Sequence, residues 1–107
     1  MKRLVAVILV LLATNAMAED WRNGESLFDA STVRKDTMVV KWIRVDDIQS
    51  TCERVSRSKG LGGFKYNVDA CTFWETETNE CMVYTKKQTT QHIVGHEMRH
   101  CFQGSFH

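Results

Sequence analysis

The sequence predicts a small α+β domain, in which an antiparallel sheet carries a C-terminal helix and two disulfides cross-link the fold. Short runs of β-branched and aromatic residues alternate with stretches of helical periodicity. Four cysteines are an even number in a chain too short to be stabilised by a large hydrophobic core alone. These two observations lead to a single cross-linked domain.

The first eighteen residues have the three-part layout of a secretory signal peptide. Lys2 and Arg3 precede an apolar run at residues 4–13, and residues 16–18 ("AMA") supply the small residues of a cleavage site. The run is short for a bilayer span, although an uncleaved N-terminal anchor is the alternative. We therefore predict a periplasmic or secreted protein, residues 19–107, with no stable membrane anchor after cleavage.

The charge of the predicted mature chain limits its partners. Cleavage removes two basic residues and no acidic one, so the formal charge changes from +1 to −1. A chain near neutrality lacks the basic excess of an electrostatic nucleic-acid binder. The predicted partner is a peptide or protein, as substrate or as binding partner, and not a nucleic acid.

The N-terminal half of the mature chain contains an arm, a strand and a helix. Residues 19–37 are polar and weakly patterned, and we predict an arm there with a short helix over 26–33. The α+β domain then covers residues 38–107, and its first strand is residues 38–45, "MVVKWIRV". A helix follows as far as Arg57.

That first helix has a start signal and an apolar face. Asp46 and Asp47 are good N-cap residues. Ile48, Cys52 and Val55 fall at i, i+4 and i+7, so they share one face of the helix.

The C-terminal half reads as a hairpin and a final helix. Residues 59–63 are a glycine-rich connector, and residues 70–74 and 81–85 are the predicted strands around a turn at 75–80. Thr89 or Thr90 can cap a helix that runs to about residue 102. The apolar positions expected to face the core are Ile93, Val94, Met98, Cys101 and Phe102.

The cysteines are predicted to form two disulfides in an exported chain. Their three possible pairings are not distinguished by the sequence. A zinc site built from thiolates is the alternative, although no C-x-x-C pair occurs. The four positions are Cys52, Cys71, Cys81 and Cys101.

All four histidines fall within residues 92–107. His96 and His100 are four apart on the predicted helix, so both imidazoles leave one face and can reach one metal ion. Glu97 directly follows the first of them. This H-E-x-x-H pattern is typical of two Zn²⁺ ligands with a carboxylate that takes a proton from zinc-activated water. A helix with two histidines and no metal is the alternative.

A catalytic zinc usually has a third protein ligand. Gly104 can end the helix and turn the chain back, which would bring His107 to the ion. His92 lies about 12 Å from His100 along the helix axis, so it is expected at the surface or behind the ligands. The fallback third ligands are Glu75, Glu77 and Glu80 on the hairpin.

The stretch "HEMRH" resembles the active-site motif of the zincin superfamily of zinc metallopeptidases. The resemblance implies that His96 and His100 bind zinc, that Glu97 is the general base, and that the strand at residues 80–85 holds extended substrate along a sheet edge. The tail is similar to the metzincin pattern, with one residue more before Gly104.

The predicted function is therefore a small exported zinc-dependent metallopeptidase, with zinc on His96, His100 and His107 and with Glu97 as base. One alternative is a non-catalytic zinc-binding envelope protein that binds a partner. Another is a disulfide-linked interaction module without metal. The three tryptophans, including Trp42 and Trp74, are predicted to lie in the core rather than on a binding surface.

Overall fold

The computed structural model describes residues 23–25, 27, 31, 33 and 37–105. The predicted signal peptide, most of the predicted arm with its short helix, and His107 lie outside these residues. The predicted order of strand, helix, hairpin and helix is confirmed, and the protein is a small α+β domain. Its elements are β1 (Val39–Val45), α1 (Ile48–Ser58), β2 (Ala70–Glu75), β3 (Glu80–Lys86) and α2 (Gln91–Gln103).

Both helices begin at residues whose side chains satisfy backbone N–H groups of the first turn. The Asp47 carboxylate accepts a hydrogen bond of 3.0 Å from the backbone N–H of Ser50 at the start of α1. The Thr90 hydroxyl accepts one of 3.1 Å from Ile93 at the start of α2. Asp47 and Thr90 are therefore the N-caps among the predicted candidates.

The sheet is mixed, so the prediction of an antiparallel sheet is wrong. Its strand order is β1-β3-β2, in which β3 pairs antiparallel with β2 and parallel with β1. Parallel neighbours need a long crossover connection. The chain supplies one here, because α1, the following loop and β2 all lie between β1 and β3.

The two helices lie on opposite faces of the sheet. Residues paired directly across an antiparallel ladder point to the same face. Cys71 therefore shares a face with Tyr84, and this face carries α1. Thr72 shares the other face with Val83, and that face carries α2. The result is three layers, with the sheet between the helices.

Each helix is attached to the sheet by one disulfide. Cys52 of α1 is bonded to Cys71 of β2, and Cys81 of β3 is bonded to Cys101 of α2, with Cα atoms 6.0 and 5.6 Å apart. The two predicted disulfides are confirmed, and the alternative of a thiolate zinc site is wrong. Disulfides of this kind indicate an oxidising, extracellular environment.

The buried core is small and consists largely of cystine. Among the described residues, four of the seven buried hydrophobic side chains are disulfide-bonded cysteines, and the other three are Ile48, Phe73 and Val83. A core of this size cannot supply the stability of a larger domain. The two disulfides therefore supply much of the stability that side-chain packing supplies in larger domains.

The prediction of which α2 residues face the core is only partly correct. Cys101 is buried, but Met98 is 40% exposed and Glu97 is only 8% exposed. Trp42 also differs from its predicted core position, because it is 45% exposed and its indole N–H donates to Thr85 Oγ1. None of the helices in the described part of the chain has the length and apolar character needed to cross a membrane.

Candidate functional site

A cavity of about 1200 Å³ follows the outer side of β2. β2 is an edge strand, and among the described residues no other strand pairs with its outer side. The loop at residues 61–68 lines the cavity on the α1 side, and α2 lines it on the other side. We call this cavity the β2 groove. Residues 70–74 of β2 form its floor, and an edge strand presents main-chain N–H and C=O groups on its outer side.

His96 and His100 lie together in the α2 wall of the β2 groove. Their ring centroids are 5.0 Å apart and the ring planes are nearly perpendicular, at 84°. Trp74 of β2 stacks on His100 with centroids 5.7 Å apart and ring planes within 4° of parallel. The indole therefore fixes the plane of the second imidazole.

A backbone carbonyl orients the ring of His100. The Nδ1 atom of His100 lies 2.8 Å from the carbonyl oxygen of Gly104, so Nδ1 carries a hydrogen and donates it to this oxygen. Gly104 ends α2 with φ of 68° and ψ of −139°, a conformation that favours glycine. This glycine was predicted to end the helix, and the structure confirms that it does.

Glu97 lies between the histidines and the sheet rather than in open solvent. Its side chain is 8% exposed. Thr72 Oγ1 lies 2.5 Å from the carboxylate Oε2 of Glu97 and 3.1 Å from the backbone carbonyl oxygen of the same residue. A hydroxyl has one hydrogen and can donate to only one acceptor. Thr72 therefore donates either to the carboxylate or to the main-chain carbonyl of Glu97, and in both cases it ties α2 to β2.

Burial raises the pKa of the Glu97 carboxyl above its ordinary value, and the hydrogen bond from Thr72 opposes this shift. A buried carboxyl loses solvation of its charged form, which is the dominant effect here. The raised pKa therefore increases the fraction of neutral Glu97 in the metal-free chain.

The zincin assignment is wrong on the described part of the chain. No group of three or more histidine, cysteine, aspartate or glutamate side chains is arranged there to hold a metal ion. Of the three histidines predicted as ligands, His96 and His100 are among these residues and His107 lies outside them. Two described histidines do not make the three-ligand centre that defines the family.

The hairpin glutamates do not complete the site. Glu75 and Glu80 are directly paired and so point to the same face of the sheet as Cys71, away from α2. Glu75 lies 3.7 Å from Lys59, and Glu80 lies 3.8 Å from Lys41. Neither these two residues nor Glu77 lines the β2 groove.

The strand that was predicted to hold substrate along a sheet edge is not an edge strand. Residues 80–85 belong to β3, which is the central strand and is paired on both sides. β2 is the strand with an open edge next to α2. The sequence places a strand directly before the helix, but it does not reveal which strand lies at the edge.

Two residues of the site were not found from the sequence. Thr72 holds Glu97, and Trp74 stacks on His100, although Trp74 had been expected in the core. Alternation along β2 would have placed both on the face opposite Cys71. That argument needs the disulfide pairing, which the sequence leaves open. His92 also lines the β2 groove, one turn before His96.

Comparisons with known proteins provide no family for this chain. No protein-family model matches it, and no curated protein or solved structure is significantly similar to it.

Proposed function

We propose that the β2 groove binds an extended peptide for zinc-dependent hydrolysis, with His96 and His100 as zinc ligands and Glu97 as general base. The observation that carries this proposal is the meeting of the two imidazoles in the wall of a groove whose floor is an open strand edge. An edge strand is a template for main-chain pairing with a peptide. The substrate would thus lie across the histidine wall.

The separation of the two histidine rings supports a shared zinc ion. Two imidazoles bound tetrahedrally through Zn–N bonds of about 2 Å have ring centroids roughly 5 Å apart. The observed separation is 5.0 Å. The bond between His100 Nδ1 and the carbonyl of Gly104 is the kind of outer contact that orients a zinc-bound histidine. We take His107 as the third ligand.

Zinc held there supplies Lewis acidity and makes water reactive near neutral pH. The chain's own residues do the rest. The main chain of β2 orients the peptide, Glu97 accepts the proton from the attacking water, and Thr72 holds Glu97 in position.

The location of the proposed activity is the periplasm or the extracellular medium. The two disulfides support an oxidising compartment. The signal-peptide pattern of residues 1–18 supports export.

A second function, non-catalytic zinc binding with the groove as a partner site, is favoured by one observation. Glu97 is buried and is tied to Thr72, which is also what a purely structural carboxyl would show. In that case the Glu97→Gln variant would retain zinc and peptide binding, and no peptide would be hydrolysed by the wild type.

The test is zinc content followed by peptide hydrolysis. We would produce oxidised residues 19–107 and measure zinc per chain for wild type, His100→Ala and His107→Ala, with His92→Ala as matched control. We expect about one zinc in wild type and in the control, and a loss or strong weakening in the other two variants. A folded wild-type protein that takes up no zinc would overturn the proposal.

Hydrolysis is then measured on a quenched-fluorescence peptide library with zinc-loaded protein. We expect Glu97→Gln to keep its zinc and to lose at least about a hundredfold in rate, the usual contribution of a general base. Undiminished zinc-dependent hydrolysis by Glu97→Gln would assign the base to another residue.

A further inference from the structure

We infer that the loop wall of the β2 groove, formed by Leu61, Phe64 and Tyr66, selects peptides that carry a large aliphatic or aromatic side chain. The inference rests on the peptide-binding part of the proposed function. It names the substrate class that the groove accepts, and it assigns that choice to the side of β2 opposite the histidines.

The wall exposes apolar surface at one place. Leu61 and Tyr66 are each 68% exposed, and both line the β2 groove. Single exposed apolar side chains are ordinary on a protein surface. Two within six residues, facing the same cavity, indicate a surface that gains free energy when another apolar group covers it.

Aromatic rings continue this surface down to the strand. Phe64 packs against the α1 core, and its ring centroid lies 5.9 Å from that of Tyr66, with the planes tilted by 60°. Phe73 of β2 also lines the groove and is only 9% exposed. The wall therefore joins a buried ring at its base to exposed side chains at its rim, which is the form of a side-chain pocket.

Two charged side chains that line the groove on this side, Lys59 and Asp69, have partners. Lys59 lies 3.7 Å from Glu75, and its ammonium nitrogen is 5.9 Å from the centroid of the Phe73 ring. Asp69 lies 3.3 Å from Lys86. A charged substrate side chain would have to displace one of these ion pairs, whereas an apolar side chain needs only the exposed surface.

Strand geometry places a substrate side chain at this wall. In an extended peptide paired with β2, successive side chains point to opposite faces of the sheet. Those on one face lie over His96, His100 and Glu97. Their immediate neighbours in the peptide point to the loop wall. Leu61 and Tyr66 therefore cover a side chain that points away from the histidines.

The test uses binding rather than hydrolysis. Fluorescently labelled peptides Ser-Thr-Ser-Xaa-Ser-Thr-Ser, with Xaa as Phe, Leu, Ala or Glu, are titrated with oxidised residues 19–107 in chelator and then with zinc. We expect the Phe and Leu peptides to bind at least about tenfold tighter than the Ala peptide, and the Glu peptide to bind no better than the Ala peptide.

The matched variants locate the preference. Leu61→Ser/Tyr66→Ser should remove it, and the fold should survive because both side chains are largely exposed. Val39→Ser is the control, since Val39 is 55% exposed on β1 and does not line the groove. Equal binding of all four peptides, or a preference unchanged in the double variant, would overturn the inference.

The two proposals fail separately. A Phe and Leu preference in chelator, together with no zinc uptake and no hydrolysis, would support the loop wall and remove the hydrolytic function. Zinc-dependent hydrolysis without side-chain preference at Xaa would support the hydrolytic function and overturn the selectivity of the loop wall.

Discussion

Glu97 is an ionisable residue that is buried where α2 meets the sheet. Its carboxyl is buried against β2, while Met98, the next residue, is 40% exposed. A helix with an apolar face would gain by reversing these two positions. The chain instead buries an ionisable group beside two histidines, which is an arrangement expected where function and stability conflict.

This conflict predicts that Glu97→Gln stabilises the metal-free protein near neutral pH. Burial raises the pKa of Glu97 above its ordinary value of 4.5. The protonated carboxyl therefore contributes stability that is fully present below about pH 4.5 and is lost as the pH rises through the folded-state pKa. The Glu97→Gln variant carries a neutral amide of the same shape, so it does not lose this stability as the pH rises.

The measurement is the melting temperature of chelator-treated wild type and Glu97→Gln between pH 4 and pH 8. We expect the variant to melt higher at pH 8 and the difference to shrink towards pH 4. Glu77→Gln is the control, because Glu77 is exposed in the β2–β3 turn. A difference between wild type and Glu97→Gln that is independent of pH would show that ionisation is not its cause.

At the scale of the elements, α2 has one glycine inside it and one at its C-terminal end, and the two have opposite roles. Gly95 lies inside the helix, and an added Cβ would meet no atom within 4 Å. Gly104 ends the helix at φ of +68°, and its carbonyl accepts the hydrogen bond from His100. The helix thus tolerates a side chain at the first position and not at the second.

We therefore predict that Gly104→Ala and Gly95→Ala change stability in opposite directions. The strained backbone should make Gly104→Ala less stable by about 1–3 kcal/mol. Gly95→Ala should be more stable by up to about 1 kcal/mol, because alanine favours the helix interior. Urea unfolding measures both values.

A zinc titration adds a second readout. Gly104→Ala should also bind zinc more weakly than Gly95→Ala, since the carbonyl of residue 104 orients His100. Equal zinc affinities in the two variants would mean that the backbone conformation of residue 104 does not influence the proposed zinc site.

Elements were predicted well from the sequence because their signals are local. Hydrophobic periodicity and the caps Asp47 and Thr90 located both helices to within a residue or two. Strand direction was not predicted, because alternation is the same in parallel and antiparallel strands. The motif at residues 96–100 located one wall of the groove, whereas Thr72 and Trp74 depend on which face of β2 meets α2, a tertiary property.

At the scale of the whole molecule, the fold is three layers joined covalently. Neither helix is long, and the described core has only Ile48, Phe73 and Val83 besides the four cysteines. The two disulfides close loops with sequence separations of 19 and 20 residues. Loops of this size correspond to about 3 kcal/mol of stabilisation each.

We predict that loss of both disulfides unfolds the protein at 37 °C. Two losses of about 3 kcal/mol are comparable with the total stability of a small domain, about 5–10 kcal/mol. Cys52→Ser/Cys71→Ser and Cys81→Ser/Cys101→Ser should each remain folded at 25 °C with similar losses, because their loops are nearly equal. Circular dichroism with a phosphine reductant, compared with the two double variants, measures these losses.

The two double variants should differ in zinc binding, although they are matched in stability. Cys101 follows His100 directly and fixes α2 on the sheet, whereas Cys52 and Cys71 hold α1 on the opposite face. We expect zinc affinity to fall in Cys81→Ser/Cys101→Ser and to stay near wild type in Cys52→Ser/Cys71→Ser, measured well below each melting temperature. Equal affinities would mean that α2 keeps its position without its disulfide. The stability prediction has its own contrary outcome. If both double variants stay folded even after full reduction, side-chain packing alone stabilises the three layers.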